Sequence, residues 1–161
     1  MRGDCRQTAT LILVLATVPA FAQEEKEIDM ARVPAPVRQA AMKAAPGARL
    51  TSAFKETDEG RTTYELSGRD AQGRGVEIEV TGRGVVLGVE TEIPVGQVPR
   101  VVIDALRSKA RGMKFTSAEV VTRNGRIISY EFEGEDAAGD EVEANVSPDG
   151  RTVDLEVDDE D

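Results

Sequence analysis

Two periodicities alternate along the chain. Apolar residues recur at helical spacing in two short stretches, Val37, Ala40, Ala41, Ala44 and Val101, Val102, Ala105, Leu106. This spacing predicts helices over about 35–46 and about 99–111. Pro34 and Pro99 stand where a helix begins without losing a needed donor, and Gly47 and Gly112 where a left-handed cap ends one. After each helix the period drops to two. Tyr64 and Leu66 alternate with Glu65 and Ser67, then Val76, Ile78 and Val80 with Glu77 and Glu79, then Leu87, Val89 and Ile93 with Gly88, Glu90 and Glu92. Past the second helix, Tyr130/Phe132, Val142/Ala144/Val146 and Val153/Leu155/Val157 alternate with Glu131/Glu133, Glu143/Asn145 and Asp154/Glu156. Such alternation predicts antiparallel strands with one apolar face under a helix and one polar face open to water. One further strand is expected ahead of each set, at about 50–55 and 115–120, with no face assigned to it.

The two stretches are copies of one another. Val33-Pro34 matches Val98-Pro99, Thr51-Ser52-Ala53 matches Thr116-Ser117-Ala118, and Gly60-Arg61 matches Gly125-Arg126, all at one offset. One inserted residue later, 64–90 lies over 130–156 with 11 of 27 positions identical, against about one in fifteen by chance, so the duplication is real. The turn signals recur too: 58–60, Gln72-Gly73 and 82–84 in the first copy, Asn124-Gly125, 138–140 and 148–150 in the second. The Gly-rich stretch 68–75 reads as one of these hairpin turns rather than a phosphate loop. The expected fold class is therefore α+β, as two tandem repeats, each a helix packed on one face of a four-stranded antiparallel sheet. Repeat 1 covers 33–93, a linker 94–97, and repeat 2 98–158. A lone unit of this size is marginal, and pairing the copies edge to edge into a longer sheet would relieve that.

The N-terminus has a different character. Arg2 and Arg6 precede an apolar run over 11–18, Pro19 breaks it, and Ala20-Phe21-Ala22 fits a small-x-small cleavage site. Residues 1–22 read as a secretory signal peptide cut after Ala22, which places the mature protein in the periplasm or the medium. The run is too short to span a bilayer, and no later segment does better, so the mature chain is not expected to insert in a membrane. Residues 23–32 are expected to form a flexible lead-in and 159–161 an acidic tail. The lone cysteine, Cys5, leaves with the signal, so stability must come from packing without disulfides.

Composition then narrows the chemistry. From residue 23 onward the chain holds 18 basic and 29 acidic side chains, a net charge of −11, which argues against nucleic acid and anionic membranes as partners. The charge is uneven: 33–93 is nearly balanced with 8 basic and 9 acidic residues, whereas 98–161 holds 8 and 16. Histidine is absent and mature cysteine with it, which removes Ser-His and Cys-His nucleophilic sites and the usual zinc sets. No cofactor is implied, and an enzyme is not expected. The helices carry the positive charge, with Arg38 and Lys43 on the first and Arg100, Arg107, Lys109 and Arg111 on the second.

Val33-Pro34, Tyr64-Glu65, Val76–Val80 and Gly84–Glu90, with counterparts Val98-Pro99, Tyr130-Glu131, Val142–Val146 and Gly150–Glu156, give a pattern that resembles the PepSY-like family, a group also similar to β-lactamase-inhibitor proteins. The resemblance spans nearly all of the mature chain. It implies a helix on a four-stranded sheet, twice, in an exported bacterial protein that binds or restrains another one, a peptidase among the candidates. Inhibitors of the β-lactamase type grip their target with aromatic residues on the open sheet face. This chain departs from them: it has no Trp, and Tyr64, Tyr130 and Phe132 belong to the covered face.

The remaining candidates are the outward carboxylates Glu65, Glu77, Glu79, Glu131, Glu133 and Glu143, which the alternation places on the open face. Like charges opposite one another across strands are destabilising. They are expected either to dock a basic surface of an exported protein partner or to keep an exposed sheet soluble. Spread along open strands, they imply no pocket that would shift their pKa values. The alternative use is cation binding, calcium in particular, with oxygens clustered over 133–143 and 154–161. Neither stretch has the ligand spacing of a calcium loop. The oligomeric state is not legible.

Overall fold

Tight turns and unbroken alternation produce one continuous antiparallel sheet in the computed structural model, which describes residues 26–58 and 60–158. The chain runs through β1 (Lys26–Glu27), α1 (Ala35–Ala44), β2 (Arg49–Asp58), β3 (Arg61–Arg69), β4 (Gly75–Thr81) and β5 (Val86–Glu92). It continues through α2 (Arg100–Lys109), β6 (Lys114–Phe115), β7 (Glu119–Arg123), β8 (Arg126–Glu135), β9 (Glu141–Val146) and β10 (Val153–Asp158). Short 3-10 turns at Met30–Arg32 and Val95–Gln97 lead into the helices. The strand order is β1-β2-β3-β4-β5-β7-β8-β9-β10, and β6 pairs with β8 ahead of β7. The sheet thus has ten strands rather than two sets of four. The expected signal peptide 1–22 and tail 159–161 lie outside the described residues.

The seam between β5 and β7 makes one sheet out of the two halves, with Glu90 opposite Val121 and Glu92 opposite Glu119. Ile93 N–H donates to the Ala118 carbonyl across the same seam at 2.8 Å. Because the register is continuous, one row of the apolar face runs through Val76, Thr91, Val120, Tyr130, Val146 and Val153. Both helices lie on this face. α1 buries Val37 and Ala41 against Ala53, Tyr64, Leu66, Ile78 and Val80. α2 buries Val102 and Leu106 against Ala118, Tyr130, Phe132, Ala144 and Val146. Phe115 meets Phe132 edge to face, with ring centroids 6.0 Å apart. The helices follow their predicted starts but end sooner, at Ala44 and Lys109.

Three local expectations change. Of the lead-in expected to be flexible, residues 26–32 pack on the fold. β1 pairs with β2, Ile28 N–H donates to the Ala53 carbonyl, and Ile28 and Met30 pack on the first core cluster. Two apolar residues in an otherwise charged stretch account for this. Leu87, expected inward, yields its place to Val86, which stands opposite Val80, because a bulge interrupts the β4–β5 register beside Gly88. The first strand of each half has no single extended form. β2 carries a bulge at Thr51, and its counterpart breaks into β6 and β7. At both breaks a glycine admits the neighbouring backbone: a Cβ on Gly68 would stand 2.1 Å from the Arg49 carbonyl oxygen, and one on Gly134 2.0 Å from that of Lys114. The turns follow their sequence signals. Asn124 and Gly125 both have positive φ, as a two-residue hairpin turn requires. Asp70 and Asp136 close equivalent turns by accepting from backbone N–H groups at positions two and four residues on.

Candidate functional site

The face opposite the helices is a lattice of carboxylates. Cross-strand partners share a face, so the register assigns every strand residue to one side. One row contains Ser52, Ser67, Glu77, Glu90, Val121 and Ser129. The next contains Glu92, Glu119, Glu131, Asn145 and Asp154. Beyond it stand Glu133, Glu143 and Glu156, and on the other flank Phe54, Glu65, Glu79 and Gly88. The six carboxylates expected on the open face, Glu65, Glu77, Glu79, Glu131, Glu133 and Glu143, therefore do share it.

Their burial does not follow the expectation of an open, solvated face. Glu131 is 1% exposed, and Glu65, Glu77, Glu79, Glu133 and Glu143 are half-buried. Glu90, which the sequence placed outward but did not single out, is wholly buried. The cause is the seam. Joining β5 to β7 sets Glu90 of the first half beside Glu119 and Glu131 of the second, with Glu77 directly across on β4. Diagonal neighbours on a sheet are within reach of long side chains. The glutamates therefore cover one another, and those at the centre lose their water.

Burial without cations makes these groups weak acids. Loss of water, then the charges of Glu131, Glu119 and Glu77, push Glu90 up to about 11. Burial first, then Glu143 and Glu119, pushes Glu131 up to about 9. Glu119 rises to about 7 through burial and the charges of Glu77 and Glu133. Glu79 is raised by burial and by Glu56, against the pull of Arg123. The expectation that no environment here would shift a carboxyl pKa is corrected by this central cluster. As carboxylates, Glu90 and Glu131 have no hydrogen-bond donor for either oxygen. Once protonated, each can act as a donor instead, Glu90 to Glu119 and Glu131 to Glu143. Burial and crowding thus favour the protonated form at the centre of the face.

A groove of about 840 Å³ opens beside this cluster. Its lining includes the small residues Ser52, Ser67, Gly68 and Gly75. Ser52 and Ser67 hydroxyls bond to each other at 2.9 Å. Glu65, Glu77, Glu119, Phe54, Arg49 and Arg69 line it as well. Phe54 thus belongs to the acidic face, an aromatic that the unassigned first strand concealed. Arg69 lies 3.9 Å from Glu92, whose carboxylate accepts from Gly75 N–H at 3.0 Å. On the far flank Arg123 reaches across the seam and donates to the Leu87 carbonyl. Among the described residues no group of three His, Cys, Asp or Glu side chains is arranged to hold a metal ion. Nor is any described helix long and apolar enough to cross a membrane.

The chain matches no protein-family model, and no curated protein sequence matches it. Solved structures do match. A Bacteroides eggerthii protein provisionally described as periplasmic superposes with a TM-score of 0.61 at 15% identity, over 78% of this chain and 88% of that one. A DUF2874 family protein from Bacteroides uniformis gives 0.59 at 17% identity, over 77% and 88%. A BLIP-like protein from Bacteroides fragilis gives 0.56 at 18% identity, over 78% and 89%. At these identities the likeness is one of fold: this chain has the α+β architecture of DUF2874 and BLIP-like proteins, an antiparallel sheet backed by two helices.

Proposed function

We propose that this is an exported, non-enzymatic binding protein of the PepSY-like and BLIP-like kind, which holds a basic surface of another exported protein on its acidic sheet face. Two tandem units, 33–93 and 98–158, joined by 94–97, supply that face after cleavage behind Ala22. Its contact residues are Glu65, Glu77, Glu79, Glu131, Glu133 and Glu143, to which Glu119 and Phe54 are added by position. The partner is a protein that the interaction restrains, a peptidase being the case the family resemblance suggests.

The observation that carries this reading is the concentration of glutamates on one side of a single sheet, beside a groove with an aromatic wall. A purely solubilising face would spread its charges and keep them wet. Here they are crowded until the central ones are dry, which costs stability on folding and is recovered when a cationic partner arrives. The fold neighbours described as periplasmic and as BLIP-like support export and protein binding in general terms.

The test is affinity capture from an envelope extract at low and moderate salt. The wild-type chain and the doubly reversed Glu77→Lys/Glu143→Lys chain serve as baits, with melting temperatures measured alongside. One protein held by the wild type, weakened by salt and lost by a folded variant, is the expected result. Equal capture by both baits removes the acidic face from the account.

A further inference from the structure

At the centre of the face a buried carboxyl stands next to carboxylates that line an open groove. Glu77 and Glu119 line the groove, and Glu90 lies wholly buried beside Glu77. Glu77 faces Glu90 directly across β4 and β5, and Glu119 lies diagonally across the seam. Both Glu90 oxygens and one oxygen of Glu119 lack a donor when ionised. Donors are what the site wants, and the groove is the way in for them.

We propose that Glu77, Glu90 and Glu119 form a seat for one guanidinium or ammonium group of a protein partner, and that this cation enters in exchange for the proton that the free protein keeps on the Glu90–Glu119 pair. The inference rests on the face-docking reading and specifies its centre. Charge balances at each stage. With Glu119 ionised, the free pair holds one proton and one negative charge. The bound pair holds two negative charges and one cation, and one proton goes to solvent. A guanidinium brings five N–H donors in a fork that matches paired carboxylates, so it satisfies the oxygens a shared proton leaves bare. Arg49 and Arg69, both exposed, line the same groove and repel a second cation. That mixed lining suits a basic side chain flanked by carbonyl or carboxyl groups, as on a protein surface, better than a bare ion.

The charged groups that act on Glu90 are all acidic, whereas Arg49 and Arg69 line the same groove and Arg69 lies 3.9 Å from Glu92. Glu77 faces Glu90 from β4, Glu92 lies two residues on along β5, Glu119 faces it from β7 and Glu131 from β8. Glu133 and Glu143 stand behind Glu119 and Glu131. Arg123 on β7 acts on Glu79, at the flank. Every nearer neighbour therefore favours keeping a proton in the free protein and giving it up to a cation.

The experiment is titration calorimetry of the purified protein with an end-capped octa-arginine peptide, at pH 6, 7 and 8, in buffers of different ionisation enthalpy. The expected result is release of about one proton per peptide at pH 8, more at pH 7 where Glu119 is itself in mid-titration, and affinity that tightens by at least about tenfold per pH unit. Glu90→Gln keeps the shape of the side chain, and its folding is checked by circular dichroism. It should bind at least about tenfold more weakly at pH 8 with no proton release. Binding without proton release, or unchanged in a folded Glu90→Gln, overturns the seat but leaves docking on the face intact. Absence of peptide binding at every pH, even at low salt, overturns both. Proton release by calcium chloride alone, with loss of peptide binding, makes the seat a metal site and overturns the proposal. If Glu90→Gln does not fold, the proton count and pH dependence of the wild type decide.

Discussion

The two faces of this sheet reach the same dryness by opposite means. On one, Leu66, Ile78, Val80, Phe132, Val142 and Val146 are sealed by helices, and burying apolar surface stabilises the fold at roughly 25 cal/mol per Å². On the other, Glu90 and Glu131 are buried among other glutamates, with Val121 and Asn145 as direct cross-strand neighbours. There the burial is unfavourable, and shared protons limit its cost. The contrast teaches that a face can be buried without being covered. Side chains long enough to lie over one another, on a sheet wide enough to surround them, exclude water from its middle.

The largest effect expected from breaking this contrast is on the apolar face. Phe132→Ala empties the centre of the second core cluster and should cost about 4 kcal/mol, read from the urea midpoint. Next comes the joint that lets the sheet continue. Gly134→Ala drives a methyl group into the Lys114 carbonyl and should cost about 3 kcal/mol, with Gly68→Ala following it against Arg49.

The acidic face should show an inverted response to pH. Its raised pKa values mean that the native state binds more protons than the unfolded chain above the ordinary glutamate value of 4.5. Their contribution to stability is full below that value. It is lost as pH rises through about 7 for Glu119, about 9 for Glu131 and about 11 for Glu90. Denaturant unfolding at pH 5.5 and 8.5 should give the lower stability at pH 8.5. The slope is about 1.4 kcal/mol per pH unit for each extra proton held. Glu90→Gln, which can still donate to Glu119, should flatten that slope while changing stability little at pH 6. The smallest effect belongs to the exposed Arg100–Asp104 pair on α2, whose nearest atoms are 3.4 Å apart. Asp104→Asn should change stability by no more than about 0.5 kcal/mol.

The apolar face was legible from the sequence because burial and alternation agree there. Tyr64, Leu66, Val76, Ile78, Val80, Tyr130, Phe132, Val142, Ala144 and Val146 are buried where period two placed them. The caps at Gly47 and Gly112 and the Asn124-Gly125 turn were equally readable, since each needs positive φ. The bulges were not. A bulge adds one residue without altering local composition, so Leu87 was misplaced and the facing of β2, with Phe54 on it, stayed hidden. The acidic site was half legible. Alternation put Glu65, Glu77, Glu79, Glu131, Glu133 and Glu143 on one face, but their burial depends on which strand stands next to which. The contact of Glu90 with Glu119 and Glu131 comes from the β5–β7 seam, a long-range pairing that periodicity does not encode. One signal was present: Glu90 keeps its place in the duplication as Glu156, yet only Glu90 sits at a seam, whereas Glu156 lies on the edge strand β10.

The claim that this sheet holds protonated glutamates at its centre can be read directly. Carbon-13 spectra of the side-chain carboxyls, assigned by single Glu→Gln substitutions and followed from pH 4 to 10, report each group's protonation. The account predicts that Glu90 and Glu131 carry the protonated chemical shift at pH 7 and that Glu119 is in mid-titration there. All three titrating together near the ordinary glutamate value of 4.5 would contradict it.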